Sequence, residues 1–199
     1  MKITLHVTDI DSYVWFRRIE SMTVEEMRGR LLRTAPANDQ MRMGTAWHSI
    51  LEDPPEEIDE IERDGFTFNV ACDAEIVLPQ IREVRACENY FIDGVEIRLT
   101  GKCDGASGNK ITDHKLTFKP NPTTYTTAYQ WRAYLDIFNA DVFEYIIYSA
   151  RKKKDIVTIH DVSTMRMYRY PGMESDLKVG IFELLQFIKA YVPEKLETA

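Results

Sequence analysis

The sequence predicts an α/β domain in which a central mixed sheet carries packed helices, preceded by a helical amino-terminal region. Three observations predict it. Residues 86–92, 95–104 and 110–118 are β-favouring stretches separated by Asp93-Gly94 and by the turn Gly105-Ala106-Ser107-Gly108-Asn109, a meander signature. Two helix-capping signals open the chain. Finally, two strands rich in Ile, Val, Tyr and Phe, 142–150 and 156–162, are followed by an amphipathic helix whose Leu177, Ile181, Leu184, Leu185 and Ile188 cover the sheet.

Taken in order, Thr8 with Asp11 three residues on reads as the cap of a helix through Ile10, Tyr13, Val14, Phe16 and Arg17. Thr23-x-x-Glu26 opens a second helix carrying Met27, Leu31 and Leu32. Pro36 and Asn38-Asp39 mark a loop, and 41–51 a third helix containing Gly44, whose cost of about 1 kcal/mol against alanine calls for close backbone packing in compensation. Gly44, His48 and Glu52 are spaced by four and share a face. Pro54-Pro55 ends that helix, and the acidic run beyond reads as a solvated loop or short helix. A helix is expected at 73–84 and another at 124–138, where Gln130 and Tyr134 share a face near Trp131 and Arg132. The last helix spans 174–191, and Pro193 stops it.

The 199 residues, 44% hydrophobic and 29% charged, fit one globular domain. It comprises a helical part, 1–52, and a sheet-and-helix core, 66–199. Cys72, Cys87 and Cys103 have neither the number of a disulfide framework nor the spacing of a zinc site, so a cytoplasmic setting is expected. No stretch has the apolar length of a signal peptide or membrane span. The net charge of −7 is carried by residues 52–64, where eight acids face Arg63 alone. Elsewhere the chain is neutral and holds basic clusters at Arg17-Arg18, at Arg28, Arg30 and Arg33, and at Arg151-Lys152-Lys153-Lys154. Acidity overall therefore does not exclude a phosphate-backbone partner.

Residues 101–115 concentrate the chemistry. Asp113 and Lys115, two apart on a strand, point to one face, and a closed hairpin sets Asp104 beside Asp113. Two carboxylates and an ammonium on rigid strands suit a divalent cation and an activated water. The same alternation also describes the solvated face of an amphipathic hairpin, and a histidine on an apolar face is commonly a core residue.

The combination resembles the PD-(D/E)xK nuclease superfamily, in the branch containing the RecB and AddB nuclease domains. Thr8 to Tyr13 is similar to its Ser/Thr-x-Tyr segment, Gly44-Thr45-Ala46-Trp47-His48 to its Gly-x-x-x-His helix, and Gly101-Lys102-Cys103-Asp104 to its Gly-x-x-Asp strand. Asp113-His114-Lys115 matches Asp-x-Lys, and Gln130-Trp131-Arg132-Ala133-Tyr134 matches Gln-x-x-x-Tyr. The resemblance implies a restriction-endonuclease-like core with a catalytic set of Asp104, Asp113 and Lys115. It implies one or two Mg²⁺ or Mn²⁺ ions held by Asp104, Asp113, His48 and the His114 backbone carbonyl. Gln130 and Tyr134 are expected to hold the substrate strand, with Arg151 and Lys152 as further contacts or a solvated hairpin tip. Of the acids Glu75, Glu83 and Glu88, Glu88 is expected to supply an additional carboxylate, from the strand paired with 95–104.

The chain departs from the branch where Trp15-Phe16-Arg17-Arg18 replaces a Cys-Pro, and it has no cysteine after the Gln-x-x-x-Tyr helix. No iron–sulfur cluster is therefore expected. The implied activity is metal-dependent hydrolysis of DNA phosphodiesters, by an exonuclease of recombination or repair of the kind bacteriophages carry. The alternatives are a catalytically silent nucleic-acid-binding or assembly protein and a structure-specific or RNA nuclease. DNA is the expected partner, joined by a homo-oligomeric assembly and a recombination or single-strand-binding protein, in the cytoplasm of a bacterial host cell.

Overall fold

The computed structural model describes residues 1–54, 60–72, 78–79 and 81–197. In chain order these form β1 (Lys2–His6), α1 (Val7–Arg18), α2 (Val24–Leu31), α3 (Asp39–Glu52), β2 (Glu60–Arg63), β3 (Phe66–Val70), β4 (Ile81–Ile92) and β5 (Val95–Ser107). They continue with β6 (Lys110–Thr117), α4 (Pro122–Thr127), α5 (Gln130–Ile137), β7 (Val142–Lys153), β8 (Ile156–Tyr168) and α6 (Met173–Tyr191).

The strands make one mixed sheet in the order β1-β5-β6-β7-β8-β3-β2, with β4 also on β5. β5 organises it. One edge pairs antiparallel with β4 from Ile81↔Ala106 to Ile92↔Val95. The other edge is shared between β1, parallel to it from Lys2↔Glu96 to His6↔Thr100, and β6, antiparallel at Gly105↔Thr112 to Ser107↔Lys110. Asp93 and Gly94 both have positive φ, 49° and 75°, as a two-residue turn that twists with its strands requires, so the hairpin expected there is present.

Alternating side chains divide the core between the two faces. On β7, Phe143, Tyr145 and Ile147 join a cluster with Leu99, Leu135, Leu177, Ile181 and Leu184 from β5, α5 and α6. Ile146, Tyr148 and Ala150 join Trp47, Ile50 and Phe68 beneath α3. The sheet is thus covered on both sides, with α3 on one face and α1, α2, α5 and α6 on the other.

Several expectations change. The amino-terminal region contains a strand, β1, because Ile3 and Leu5 bury against β5. The first helix is capped two residues earlier than expected, at His6, whose N–H donates to Asp9 Oδ2 at 2.9 Å. The Thr23/Glu26 box is present. Of the helix expected at 73–84, residues 73–77 and 80 lie outside the described residues, and 81–84 are strand, since the hairpin register carries β4 along all of β5. Within the acidic run, residues 55–59 lie outside the described residues. Glu60–Arg63 is an edge strand, with Ile61 packed toward the core and acids outward, a pattern that discourages further strand pairing. The helix expected at 124–138 breaks at Ala128, which is extended at ψ 144°. Among the described residues no helix is long and apolar enough to cross a membrane.

Two glycines differ in kind. A Cβ on Gly101 would lie 2.6 Å from Tyr134 Cε1, whereas one on Gly44 would meet nothing within 4 Å, so the packing expected to compensate Gly44 is absent. Gly101→Ala is expected to lower stability by about 1–3 kcal/mol through overpacking, and Gly44→Ala to raise it by about 1 kcal/mol through helix propensity. Urea unfolding of the two variants checks both signs.

Candidate active site

β5 and β6 pair only at their turn ends. Beyond Gly105↔Thr112 they part, and the Asp104 carboxylate takes the place of the missing strand partner, Oδ2 accepting the His114 N–H at 2.6 Å. On β6 the pleat then sorts the side chains. Asp113 and Lys115 face α5, where Gln130 Nε2 donates to Asp113 Oδ1 at 2.8 Å and Lys115 Nζ lies 2.6 Å from Asp113 Oδ2. The His114 ring faces α3, its Nδ1 3.0 Å from the Tyr148 hydroxyl. From α3, His48 reaches the gap with Nε2 2.8 Å from the His114 carbonyl and Nδ1 3.3 Å from Asp104 Oδ1. The carbonyl can only accept, so Nε2 carries a proton.

Burial pushes the Asp113 carboxyl up against the pull of Lys115, and Asp104 pushes it further. At Asp104, burial is outweighed by the His48 hydrogen bond and charge, by Lys115 and by the His114 N–H, and its pKa falls. For His48, burial is outweighed by Asp104 and the pKa rises. At Lys115 the two aspartates outweigh burial, so it is a charged ammonium and not a free base. Burial drives the His114 ring down to about 4, which leaves it neutral.

Of the remaining residues singled out by sequence, Tyr134 sits on the β5 backbone. Its hydroxyl donates to the Lys102 carbonyl at 2.7 Å while its ring excludes any side chain at position 101. Glu88 is exposed, opposite Leu99, with its carboxylate on its neighbour's N–H, and the register does not bring it to Asp104. The β4 residue at that level is Glu83, left between the pairs Arg82↔Gly105 and Val84↔Cys103, with φ 58° and an ion pair to Lys102. Counting outward from Asp93-Gly94 reaches it. Arg151 and Lys152 are exposed, five or fewer residues along β7 from the partner of Lys115, about 13–17 Å at strand rise. Lys152 contacts Asp39 at 3.2 Å and the Phe66 ring.

Asp11, expected as part of a cap on its own helix, instead starts another. Its Oδ1 accepts the Tyr129 N–H at 2.6 Å and its Oδ2 the Gln130 N–H at 3.2 Å, so a side chain on α1 starts α5 and sets Gln130 against Asp113. This carboxylate is why α4 and α5 are separate helices, since the two N–H groups it takes are not available to a continuous one.

Among the described residues no three His, Cys, Asp or Glu side chains stand at metal-ligand positions. The donor set nevertheless fits a hard cation, offering two carboxylates and the His114 carbonyl oxygen. Asp113 Oδ2 is buried and faces the Lys115 ammonium at 2.6 Å. His48 could join through Nδ1, the nitrogen that faces Asp104 and carries the lone pair when Nε2 holds the proton.

Compared with known proteins, the sequence matches no family model and no curated protein. Solved structures do match. SSO0001 superposes with a TM-score of 0.55 at 12% identity, over 99% of this chain and 89% of that one. The alkaline exonuclease LHK-Exo from Laribacter hongkongensis gives 0.50 at 15% identity, over 96% and 90%. The same exonuclease in complex with dAMP gives 0.51 at 15% identity, over 96% and 90%. The fold is restriction-endonuclease-like. Its mixed sheet with flanking helices matches that of the exonuclease across nearly the whole chain.

Burial raises the Asp11 carboxyl from 3.8 to about 6. The unfolded chain ionises Asp11 near its ordinary value, while the folded chain resists until about 6, so this group withdraws stability as pH rises through that window, by up to about 3 kcal/mol. Asp11→Asn keeps an acceptor without the charge. It is expected to gain on the wild type between pH 4 and pH 7 in metal-free urea unfolding, and a constant difference would contradict the assignment.

Proposed function

We propose that the protein is a metal-dependent DNA nuclease, an exonuclease of recombination or repair, of the RecB/AddB-like PD-(D/E)xK branch. The observation that carries the reading is the convergence of Asp104, Asp113 and Lys115 where β5 and β6 part, with Asp113 Oδ2 buried against the Lys115 ammonium. Asp104, Asp113, the His114 carbonyl and His48, through Nδ1, are the groups that would hold Mg²⁺ or Mn²⁺. When bound, such an ion supplies a nucleophilic hydroxide and neutralises charge on phosphate.

The chain's own residues do the rest. Lys115, held as an ammonium, orients the attacking water and stabilises developing negative charge. Gln130 fixes the Asp113 carboxylate and Tyr134 the β5 backbone, so the two strands keep their separation. Glu83 replaces Glu88 as the additional acid, and Arg151 and Lys152 offer positive charge to a more distant phosphate. The LHK-Exo structure with dAMP holds a deoxynucleotide, in keeping with a DNA substrate here. A homo-oligomer, a recombination or single-strand-binding partner and a cytoplasmic, phage-related setting belong to the same proposal.

Incubation with linear duplex, closed circular duplex, single-stranded DNA and RNA in Mg²⁺ or Mn²⁺ tests it. Expected are metal-dependent release of nucleotides from linear DNA, sparing of circles, and a fall of about 10³-fold or more in Asp113→Ala. His114→Ala, whose ring faces away, should lose on the order of tenfold or less, since the backbone carbonyl stays. No cleavage of any substrate, with no metal binding by calorimetry, overturns the reading.

A further inference from the structure

A groove of about 860 Å³ is bounded by α1, α2 and the start of α3. It is the larger of two openings that α3 connects. Asn38 and Met41 line it at the helix's amino end. His48 stands two turns on, about 10 Å away, and Leu51 and Glu52 line a small cleft at the carboxyl end with Arg82, Glu83 and Asp104. Met41 and His48 are seven apart and share a face of α3, as do Gly44 and His48, and Gly44 leaves that face open. On α1 the lining residues Thr8, Ser12, Trp15 and Ile19 form one stripe. It borders Asp11, which positions Gln130 on Asp113. The groove therefore leads along α3 toward the candidate site, to which the cleft lined by His48, Asp104 and His114 belongs.

We propose that this groove takes a single-stranded segment of the nucleic acid, with one base stacked on Trp15, an inference that rests on the nuclease reading. Trp15 is 45% exposed, and Arg30 lies over its ring at 5.0 Å, so an aromatic face and a cation are presented together. That pairing is how sequence-tolerant binders hold a strand, by stacking backed by an arginine. A duplex does not offer its base faces to such a ring. The groove is not strongly basic. Arg33 is paired with Asp9 and Glu26 with its own cap, which leaves Arg30 and Glu25, so stacking rather than phosphate charge dominates.

The test uses the full chain in EDTA with fluorescein-labelled and unlabelled dT12. Trp47 and Trp131 are buried, so quenching of tryptophan emission by unlabelled dT12 reports Trp15. Saturable quenching is expected. By anisotropy, Trp15→Ala should weaken binding by about 5- to 100-fold and Trp15→Phe should keep most of it. Raising salt from 50 to 200 mM should cost less than about tenfold. Binding with unchanged emission, a Trp15→Ala affinity within twofold of the wild type, or binding of duplex only overturns the proposal. So does a Trp15→Ala variant that dissociates an oligomer while binding dT12 normally, which would assign the groove to a second copy. Asp113-dependent cleavage with a silent Trp15 defeats this inference alone. A chain that neither binds nor cuts nucleic acid defeats the nuclease reading as well.

Discussion

The acceptance of the His114 N–H by the Asp104 carboxylate is the contact on which the site depends. A sheet ordinarily satisfies such an N–H with a backbone carbonyl from the neighbouring strand, and an unsatisfied one in the interior costs about 1–3 kcal/mol. Here β5 and β6 have parted, and the carboxylate fills the role. The same contact adds to the lowering of the Asp104 pKa that His48 and Lys115 impose against burial, and the His114 carbonyl on the same residue meets His48. The pleat of β6 places Asp113 on the opposite face of the sheet from the His114 ring. Strand geometry and site electrostatics are one arrangement.

Around that contact, the supports come from distant parts of the chain and act on the backbone. Tyr134 holds the Lys102 carbonyl and needs Gly101 beneath its ring, while Asp11 begins α5 at the residue that touches Asp113. The Gly-x-x-Asp and Gln-x-x-x-Tyr patterns thus meet physically: the glycine of one receives the tyrosine of the other.

Much of this was legible in the sequence because it followed local rules. The Asp93-Gly94 turn, the Thr23/Glu26 box and the period-2 pattern of 95–104 and 110–118 each fix their own geometry. The two-residue spacing of Asp113 and Lys115 put them on one face as expected. What escaped reading was set by tertiary partners. Asp11 has the spacing of a cap for its own helix, and only the fold reveals that it caps another. The break at Ala128 follows from that remote carboxylate. Glu60–Arg63 reads as solvated charge until β3 offers it an edge to pair with.

The Asp11 contact also bears on how the chain reaches its native state. Asp11 and Tyr129 are 118 residues apart in sequence, and β1 pairs with β5 across a similar span of chain, so these closures carry a high contact order. The β4–β5–β6 meander is local and can form early, bringing Asp104 near Asp113 before α5 has its anchor. Alignment of the acids therefore depends on a long-range closure, the docking of the amino-terminal helix on the face of the sheet that carries α5. A chain still folding, or one cut between these segments, carries every acidic group of the site yet lacks the fixed geometry that would make them work together.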